Sequence, residues 1–296
     1  MRLLANYHTH TALCGHAEGM SEPYVLEAIR KGLQEIGFSD HGPIPRFFMT
    51  AAEYHENWLE RQMDERAFET VYLPDLDRSI RRFGQVIHIR KGLEIEYLPG
   101  HDEHYQRLLT QLDYLSLGVH YFPSARGIYN TYWPMDADRI TEYAKATAQA
   151  LDTGYFTILN HPDLFLMNYQ SPAGILIFDP AARAATVQII EAAIRNGVYL
   201  EINGGGPRRG RFATDNGLDY LYPRTAFWRI VESYPEAKVI IGCDTHNPPE
   251  LYDRIIEDVV AFASRFSFHV SPLIDFVSER RAAHERQSSL PPETGR

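Results

Sequence analysis

Short apolar runs that alternate with longer stretches of helical spacing make up most of this chain. The apolar runs cover residues 3–7, 35–40, 86–94, 114–119, 155–160, 198–203 and 238–244. Each run is rich in β-branched or aromatic residues and closes at a polar or glycine-rich break, which is typical of a buried strand. The pattern therefore predicts seven strands.

The stretches between the runs carry apolar residues at helical spacing. Residues 20–32 place Leu26 and Ile29 on one stripe. Ser21 is the predicted N-cap of this helix, and Pro23 falls in its first turn. Residues 180–197 and 223–235 follow the same pattern. Because strands alternate with helices, we expect a parallel sheet with crossover helices, and the strand count favours a closed or nearly closed α/β barrel over an open sheet.

Residue types that bind metals follow the predicted strands one after another. The set is His8, His10, His16, His41, Glu94, His120, His161, Asp244 and His246. Loops that leave the carboxyl ends of parallel strands meet on one face, so these side chains are expected to converge. A lone histidine is more often a hydrogen-bonded loop residue, but repetition at strand after strand favours a metal site. The histidines without this placement are predicted to be surface or packing residues: His55, His88, His101, His104, His269 and His284.

The mixture of imidazole and carboxylate groups suits zinc, iron or manganese better than magnesium or calcium, which prefer oxygen ligands. Nine ligands are too many for one ion, so two or three divalent ions with Glu94 as a bridge are expected. Cys14 and Cys243 lie beside candidate ligands. They are either metal thiolates or small buried residues at the barrel mouth.

Composition limits the class of protein further. A chain of 296 residues with 44% hydrophobic content can form one large domain, predicted over residues 1–280, with residues 281–296 as a flexible tail. No membrane span, signal peptide or disulfide framework is predicted, so a cytoplasmic location is expected. The formal charge of −10 argues against nonspecific nucleic-acid binding. No oligomer is indicated. Residues 251–265 are predicted to form a helix that packs either on the barrel, which is the simpler account, or on a partner subunit.

Eight ordered motifs resemble those of the polymerase-and-histidinol-phosphatase (PHP) superfamily, most closely its histidinol-phosphatase branch. They are HTH (8–10), CGHAEG (14–19), SDHGPIP (39–45), GLEIEY (92–97), DYLSLGVHY (113–121), NHPDL (160–164), EINGGG (201–206) and GCDTH (242–246). The resemblance covers residues 1 to about 265. It implies a distorted (β/α)7 barrel with a trinuclear metal site at the C-terminal ends of the strands.

The resemblance also implies which residues share an ion. The first ion would be held by His8, His10, Glu94 and Asp244, the second by Glu94, His120 and His161, and the third by His16, His41 and His246. Three divalent ions and two carboxylates leave a strongly positive pocket, which suits a phosphate group.

The activity implied is a phosphomonoesterase that hydrolyses L-histidinol phosphate in histidine biosynthesis. A hydroxide that bridges two ions would attack phosphorus, with Glu94, Asp244 and His246 as the central catalytic residues. Arginines would complete the phosphate clamp, because their planar fork matches its oxygens. The best placed are Arg208, Arg209 and Arg211. Partners proposed for the ligand imidazoles are Asp40, Glu201 and Asp163.

Two departures from the family pattern bear on the substrate. Glu96 stands where the branch often has aspartate, and the loop after EIN is GGGPRRG. The alternatives are therefore a PHP-type phosphoesterase on another small phosphate ester or nucleotide, and a non-catalytic metal-stabilised interaction module. Loss of ligands would mark the latter, and none is lost. The segment between Arg46 and Gly84 is either a plain crossover helix or a cover over the site, with Arg46 or Trp58 as substrate contacts.

Overall fold

The computed structural model of the protein describes residues 2–279. The strands of this part of the chain are β1 (Ala5–Asn6), β2 (Glu35–Phe38), β3 (His88–Ile95), β4 (Tyr114–Leu117), β5 (Tyr121–Ser124), β6 (Gly127–Asn130), β7 (Ile158–Leu159), β8 (Tyr199–Asn203), β9 (Arg211–Thr214), β10 (Gly217–Tyr220) and β11 (Lys238–Gly242). Its α-helices are α1 (Ser21–Lys31), α2 (Ala51–Glu56), α3 (Glu65–Ala67), α4 (Leu73–Phe83), α5 (Asp102–Leu109), α6 (Ala137–Asp152), α7 (Pro180–Asn196), α8 (Thr225–Val231) and α9 (Arg254–Ala263). A π-helical turn, Phe68–Tyr72, joins α3 to α4.

Seven parallel strands form a nearly closed barrel in the order β1-β2-β3-β4-β7-β8-β11. The two outer strands meet just beyond their carboxyl ends, where Thr9 pairs with Thr245. The His10 N–H donates to the Thr245 carbonyl at 3.0 Å. The predicted α/β barrel is therefore confirmed, and its two edges close at the end of the strands where the candidate ligands lie.

An apolar cluster fills the amino end of the barrel. Its members are Ala5, Tyr7, Tyr114, Ile158, Tyr199, Ile240, Ile274 and Phe276. The Tyr114 hydroxyl donates to the Tyr7 carbonyl at 2.7 Å, and the Phe276 ring stacks on Tyr114 with centroids 5.0 Å apart. The Ile274 N–H donates to the Tyr7 hydroxyl at 3.0 Å. The segment after α9 therefore closes the amino end, while a larger apolar layer packs the helices on the outside of the strands.

Local elements differ from the sequence prediction at several points. Ser21 is not an N-cap: it is the first residue of α1, and its hydroxyl donates to the Asp75 carboxylate instead. The predicted C-terminal helix, residues 251–265, is shortened to α9, which Asp253 caps. Two hairpins, β5–β6 and β9–β10, were not predicted, because their strands are short and partly exposed. The predicted tail, residues 281–296, lies outside the described residues.

The remaining histidines are surface or packing residues as far as the structure describes them. The side chains of His55, His88 and His269 are exposed, whereas His101 and His104 pack against the Phe48 ring. His284 lies outside residues 2–279. Within that range, no helix has the length and apolar character needed to cross a membrane.

We expect the Tyr114→Phe variant to be less stable by about 1–2 kcal/mol, because the substitution removes the buried hydrogen bond that the hydroxyl donates to the Tyr7 carbonyl. Tyr114 is fully buried, and its hydroxyl also lies 3.2 Å from the Phe38 carbonyl. Chemical denaturation measures the free energy of unfolding. Tyr234→Phe is the matched control, since the Tyr234 hydroxyl makes only a 3.4 Å contact with Glu191. Equal stability of the two variants would contradict the role given to the Tyr114 hydroxyl.

Candidate metal centre

The structure brings all nine predicted ligand residues together at the carboxyl end of the barrel. Eight of them line a cavity of about 280 Å³, here called the histidine cavity: His10, His16, His41, Glu94, His120, His161, Asp244 and His246. The ninth, His8, is buried beside them, with its Nε2 atom 3.0 Å from His10 Nε2. Residues far apart in the sequence thus share one site, because each follows a strand of the same barrel.

The first group of donor atoms consists of His8 Nε2, His10 Nε2, Glu94 Oε2 and Asp244 Oδ1. His8 Nε2 lies 3.3 Å from Glu94 Oε2 and 3.4 Å from Asp244 Oδ1. The corresponding distances from His10 Nε2 are 3.5 and 3.6 Å. Ligand atoms bound tetrahedrally to zinc at their usual bond lengths lie about 3.3 Å apart. The spacing of this group therefore fits a single ion.

The second group surrounds the other oxygen of the same glutamate. Glu94 Oε1 lies 2.9 Å from His161 Nε2 and 3.6 Å from His120 Nε2. The two imidazole nitrogens are 3.2 Å apart. Oε2 faces the first group and also lies 3.4 Å from His41 Nδ1, whereas Oε1 faces the second group. The Glu94 carboxylate could therefore be a ligand shared by two ions.

The third group is formed by His16, His41 and His246, whose candidate ligand atoms lie within 4.8 Å of one another. The His16 ring stacks on His246 at a centroid distance of 4.5 Å. His246 Nε2 is buried and has no hydrogen-bond partner among the described residues. Its lone pair is therefore available to an ion, which supports this group as the third ligand set.

Cys14 is a geometric alternative in this corner, because its sulfur lies within the same 4.8 Å limit of ligand atoms of His10 and His246. Burial, together with the nearby Asp40 carboxylate, raises the pKa of the Cys14 thiol to about 12. Burial likewise raises the pKa of Cys243 to about 12. Both cysteines are buried and free. Without a metal ion the neutral thiol is thus favoured at both positions, and Cys14 stays a geometric alternative as a ligand.

The backbone around the site is arranged for the carboxylates. A Cβ atom at Gly118 would lie 2.5 Å from Glu94 Oε1, and one at Gly205 would lie 2.4 Å from Asp244 Oδ2. His161 and Asp244 themselves have positive φ values of 31° and 48°. Such values are uncommon for residues other than glycine and are concentrated at functional sites. The fold therefore holds the His161 and Asp244 side chains in the cavity at some cost in backbone conformational energy.

Two glutamates orient the imidazoles from behind. Glu201 Oε1 lies 2.7 Å from His8 Nδ1, and Glu96 Oε1 lies 2.8 Å from His120 Nδ1. Each contact leaves the Nε2 atom of its histidine directed at Glu94. Carboxylates in this position fix the tautomer and raise the basicity of a ligand histidine.

The role of Glu201 as an imidazole partner is confirmed, whereas the same role predicted for Asp40 and Asp163 is wrong. Asp40 accepts a hydrogen bond from the Thr11 N–H at 2.7 Å, and Asp163 accepts one from the Arg224 N–H at 2.6 Å. Both carboxylates therefore hold loop backbone. Glu96 was missed as a positioning residue, although it follows Glu94 by two residues and so shares its face of the strand.

The carboxylates of the site are ionised. Burial alone would raise the pKa of Glu94, but the imidazoles of His8 and His120 lower it well below its usual range. Burial alone would also raise the pKa of Asp244, but the imidazoles of His8 and His246 lower it to about 2. Two buried negative charges therefore persist among the imidazole groups at neutral pH.

The imidazoles divide into two kinds. Burial, reinforced by neighbouring imidazoles, lowers the pKa of His10 well below its ordinary value, and burial does the same for His41. Burial would also lower the pKa of His8, but the carboxylates of Glu201 and two further acids raise it. Neutral His10 and His41 offer free lone pairs, and metal ions displace protons from such sites. The donor set therefore fits divalent metal ions.

The three predicted phosphate-binding arginines occupy different environments. Arg209 lines the histidine cavity and has no carboxylate within 4.0 Å among the described residues. Arg208 also lines the cavity, but its Nη1 lies 2.8 Å from the Asp253 carboxylate. Arg211 lines a different cavity and lies over the Tyr220 ring, 4.7 Å from its centroid. Only Arg209 of the three is therefore both at the site and free of a competing acid.

A second cavity of about 600 Å³, here called the aromatic cavity, adjoins the first. The two share His16, His41, His120, Tyr132 and Arg209. Its outer wall is made by Trp58 and Trp133, with Glu56 among the polar lining residues. Trp58 has a φ of 62° and is 62% exposed. The segment that follows Arg46 thus covers the site, whereas Arg46 itself lies over the Tyr54 ring.

We expect Glu201→Gln to weaken metal binding by about 10- to 100-fold, because His8 loses the carboxylate that orients its ring. Competition with a chromogenic chelator, using Zn²⁺ and Mn²⁺, measures the affinity. Glu191→Gln is the matched control, since Glu191 lies on the exposed face of α7. Unchanged metal affinity in the Glu201 variant would show that His8 does not need this partner.

The PHP domain family matches residues 6–205, which is well over half of the chain. A protein of Schizosaccharomyces pombe named a probable histidinol-phosphatase is 32% identical over 82% of this chain and 81% of its own length. A protein of Deinococcus radiodurans with the same name is 26% identical over 86% of this chain and 91% of its own length.

A solved structure supports the same fold. It is the histidinol phosphate phosphatase of Lactococcus lactis, complexed with zinc, L-histidinol and phosphate, with a TM-score of 0.63, 16% identity, and coverage of 91% of this chain and 95% of that one. The seven-stranded barrel, the converging histidines and these similarities agree with one another. The chain belongs to the PHP domain family, in its histidinol-phosphatase branch.

Proposed function

We propose that this protein is a metal-dependent phosphomonoesterase whose substrate is L-histidinol phosphate. The observation that carries the proposal is the Glu94 carboxylate, whose two oxygens face two separate sets of imidazole nitrogens at 2.9–3.6 Å. Beside this centre lie Arg209, which pairs with no described acid, and the aromatic cavity. A multinuclear metal site next to a free guanidinium suits a phosphate ester.

The proposed ligands are the nine converging residues, in three sets that share Glu94. His8, His10, Glu94 and Asp244 form the first, Glu94, His120 and His161 the second, and His16, His41 and His246 the third. Two or three divalent ions are proposed, and zinc, manganese or iron suits the ligand types. Bound there, the ions supply an acidified water as nucleophile and positive charge for the phosphoryl oxygens.

The side chains around that centre have separate tasks. Glu94, Asp244 and His246 are the proposed catalytic residues, and all three line the histidine cavity. Arg209 donates to the phosphoryl oxygens through its planar fork. Glu96 and Glu201 hold the imidazoles in place. Arg208 stays with Asp253 and positions the loop after β8.

The alcohol half of the substrate is proposed to lie in the aromatic cavity. The ring of Tyr132 stacks parallel to His120 at 6.0 Å, and Trp58 and Trp133 supply further flat apolar surface. Glu56 is the carboxylate in the lining and would meet the substrate ammonium. The Lactococcus lactis relative was solved with L-histidinol and phosphate, which supports histidinol phosphate as the substrate.

The aromatic cavity is also the observation that favours a second candidate. At about 600 Å³ it is large for histidinol, so another small phosphate ester or a nucleotide is the alternative substrate. A non-catalytic module gains no support, because all nine candidate ligands are retained and converge. We further propose that residues 1–280 form a single domain, that the protein is located in the cytoplasm, and that its partner is a small phosphorylated molecule.

Hydrolysis rates on a panel of phosphate esters test the activity. We expect the metal-loaded protein to release phosphate, with the highest kcat/KM on L-histidinol phosphate among monoesters and nucleotides. Asp244→Asn should lower bound metal and hydrolysis together, because it removes a charged donor of the first group. Hydrolysis that survives loss of the metal would contradict the mechanism, and a flat profile across the panel would exclude the histidinol assignment.

Arg209→Ala should lower kcat/KM by roughly 10- to 100-fold, since a charge-assisted hydrogen bond to phosphate contributes about 1.5–3 kcal/mol. Arg183→Ala is the matched control, because it removes the same charge at an exposed position of α7, outside the histidine cavity. Steady-state kinetics with the best substrate of the panel measure both. Equal losses in the two variants would point to a general effect of charge rather than to a contact with phosphate.

A further inference from the structure

A third cavity, of about 360 Å³, lies between the β9–β10 hairpin and helix α8. It is here called the arginine cavity, because four arginines line it together with two aspartates: Arg211, Arg224, Arg229, Arg265, Asp215 and Asp219. None of the nine proposed metal ligands is among its lining residues. The cavity is therefore separate from the proposed catalytic centre.

Arg224 is the unusual residue of this cavity. Its side chain is only 2% exposed, and neither Nε nor Nη1 has a hydrogen-bond partner among the described residues. The nearest described carboxylate oxygen, Asp219 Oδ2, is 3.8 Å from Nε, beyond hydrogen-bond distance. An isolated buried charge is strongly unfavourable unless it is paired and hydrogen-bonded. Burial accordingly lowers the pKa of Arg224.

The neighbouring acids are already engaged by other donors. Asp219 accepts hydrogen bonds from the N–H and the hydroxyl of Thr225, at 2.8 and 3.1 Å. Asp215 accepts one from the Phe178 N–H at 2.9 Å. Asp163 accepts the backbone N–H of Arg224 itself, at 2.6 Å. These carboxylates stabilise backbone and leave the Arg224 guanidinium without a direct partner.

The other arginines add positive charge at the rim. Arg211 lies over the Tyr220 ring and Arg265 over the Phe262 ring, and neither has a carboxylate within 4.0 Å in residues 2–279. Arg229 differs, because its Nη1 lies 2.8 Å from the Glu232 carboxylate. The cavity thus combines a buried guanidinium, which lies 3.8 Å from one carboxylate but has no hydrogen-bond partner among the described residues, with two exposed ones.

We propose that the arginine cavity is a second anion site, which binds a small phosphate-type oxyanion on Arg224. A guanidinium donates two parallel hydrogen bonds to such oxygens. Arg211 and Arg265, at the rim of the cavity, would contact the ligand from its exposed side. The volume fits inorganic phosphate or the phosphoryl group of a small molecule.

Isothermal titration of the metal-loaded protein with inorganic phosphate and with phenylphosphonate tests this site. We expect a binding component that becomes at least 10-fold weaker in the double variant R211Q/R265Q. Both rim residues are exposed, so this variant keeps the buried core intact. Arg224→Met should abolish the same component, with circular dichroism to check folding. Arg183→Gln, an exposed arginine on α7, is the control for a lost charge.

Superimposable isotherms of the wild type and the double variant would overturn the proposal, as would an equal loss in Arg183→Gln. A component that persists in Arg209→Ala but disappears in the double variant supports it, because the histidine cavity is then not its location. The tighter of the two anions identifies free phosphate or an organic phosphoryl group as the natural ligand. The outcome is independent of the phosphatase proposal, since no turnover is measured.

Discussion

The buried Glu94 carboxylate is the constraint on which the rest of the site depends. Its side chain is 1% exposed, and its two oxygens face different sets of imidazole nitrogens. A charge in this position requires cations or several donors around it, because burial without them costs several kcal/mol. The Asn160 amide supplies one donor at 3.0 Å, and Gly118 leaves the space. Imidazoles from neighbouring strand ends supply the remainder.

Closure of the barrel brings the other candidate ligands to that carboxylate. The bridge between Thr9 and Thr245 joins segments more than two hundred residues apart, and it places His8 and His10 beside Asp244. At the opposite end, Phe276 packs on Tyr114 and closes the barrel from below. Apolar side chains fill the amino end of the barrel, and loops surround the cavities at its carboxyl end. The candidate site therefore lies at the carboxyl end, as in other parallel α/β barrels.

The loops on that face divide the surface into cavities of different character. The histidine cavity is small and rich in charge, whereas the aromatic cavity offers flat apolar walls. One short segment connects the site to the arginine cavity: Tyr222 lines the former and Arg224 the latter. The Asp163 carboxylate accepts a hydrogen bond from the Arg224 backbone and follows the candidate ligand His161 by two residues. The Asp163 carboxylate therefore links the backbone of the Arg224 segment to the loop that carries His161.

Local patterns in the sequence were sufficient to predict the strands and the nine candidate ligands. The apolar run of a buried strand and the polar residue at its end are both short-range features of the sequence. Glu96 shared that signal and could have been found from its two-residue spacing to Glu94. Three other features could not have been predicted from the sequence. They are the hairpins, the Ser21–Asp75 contact and the different surroundings of Arg208, Arg209 and Arg211. Each depends on which distant group packs nearby, and only tertiary structure decides that. By itself the sequence determined the barrel and its candidate donors; the fold decided which of them face Glu94 and which arginine remains free.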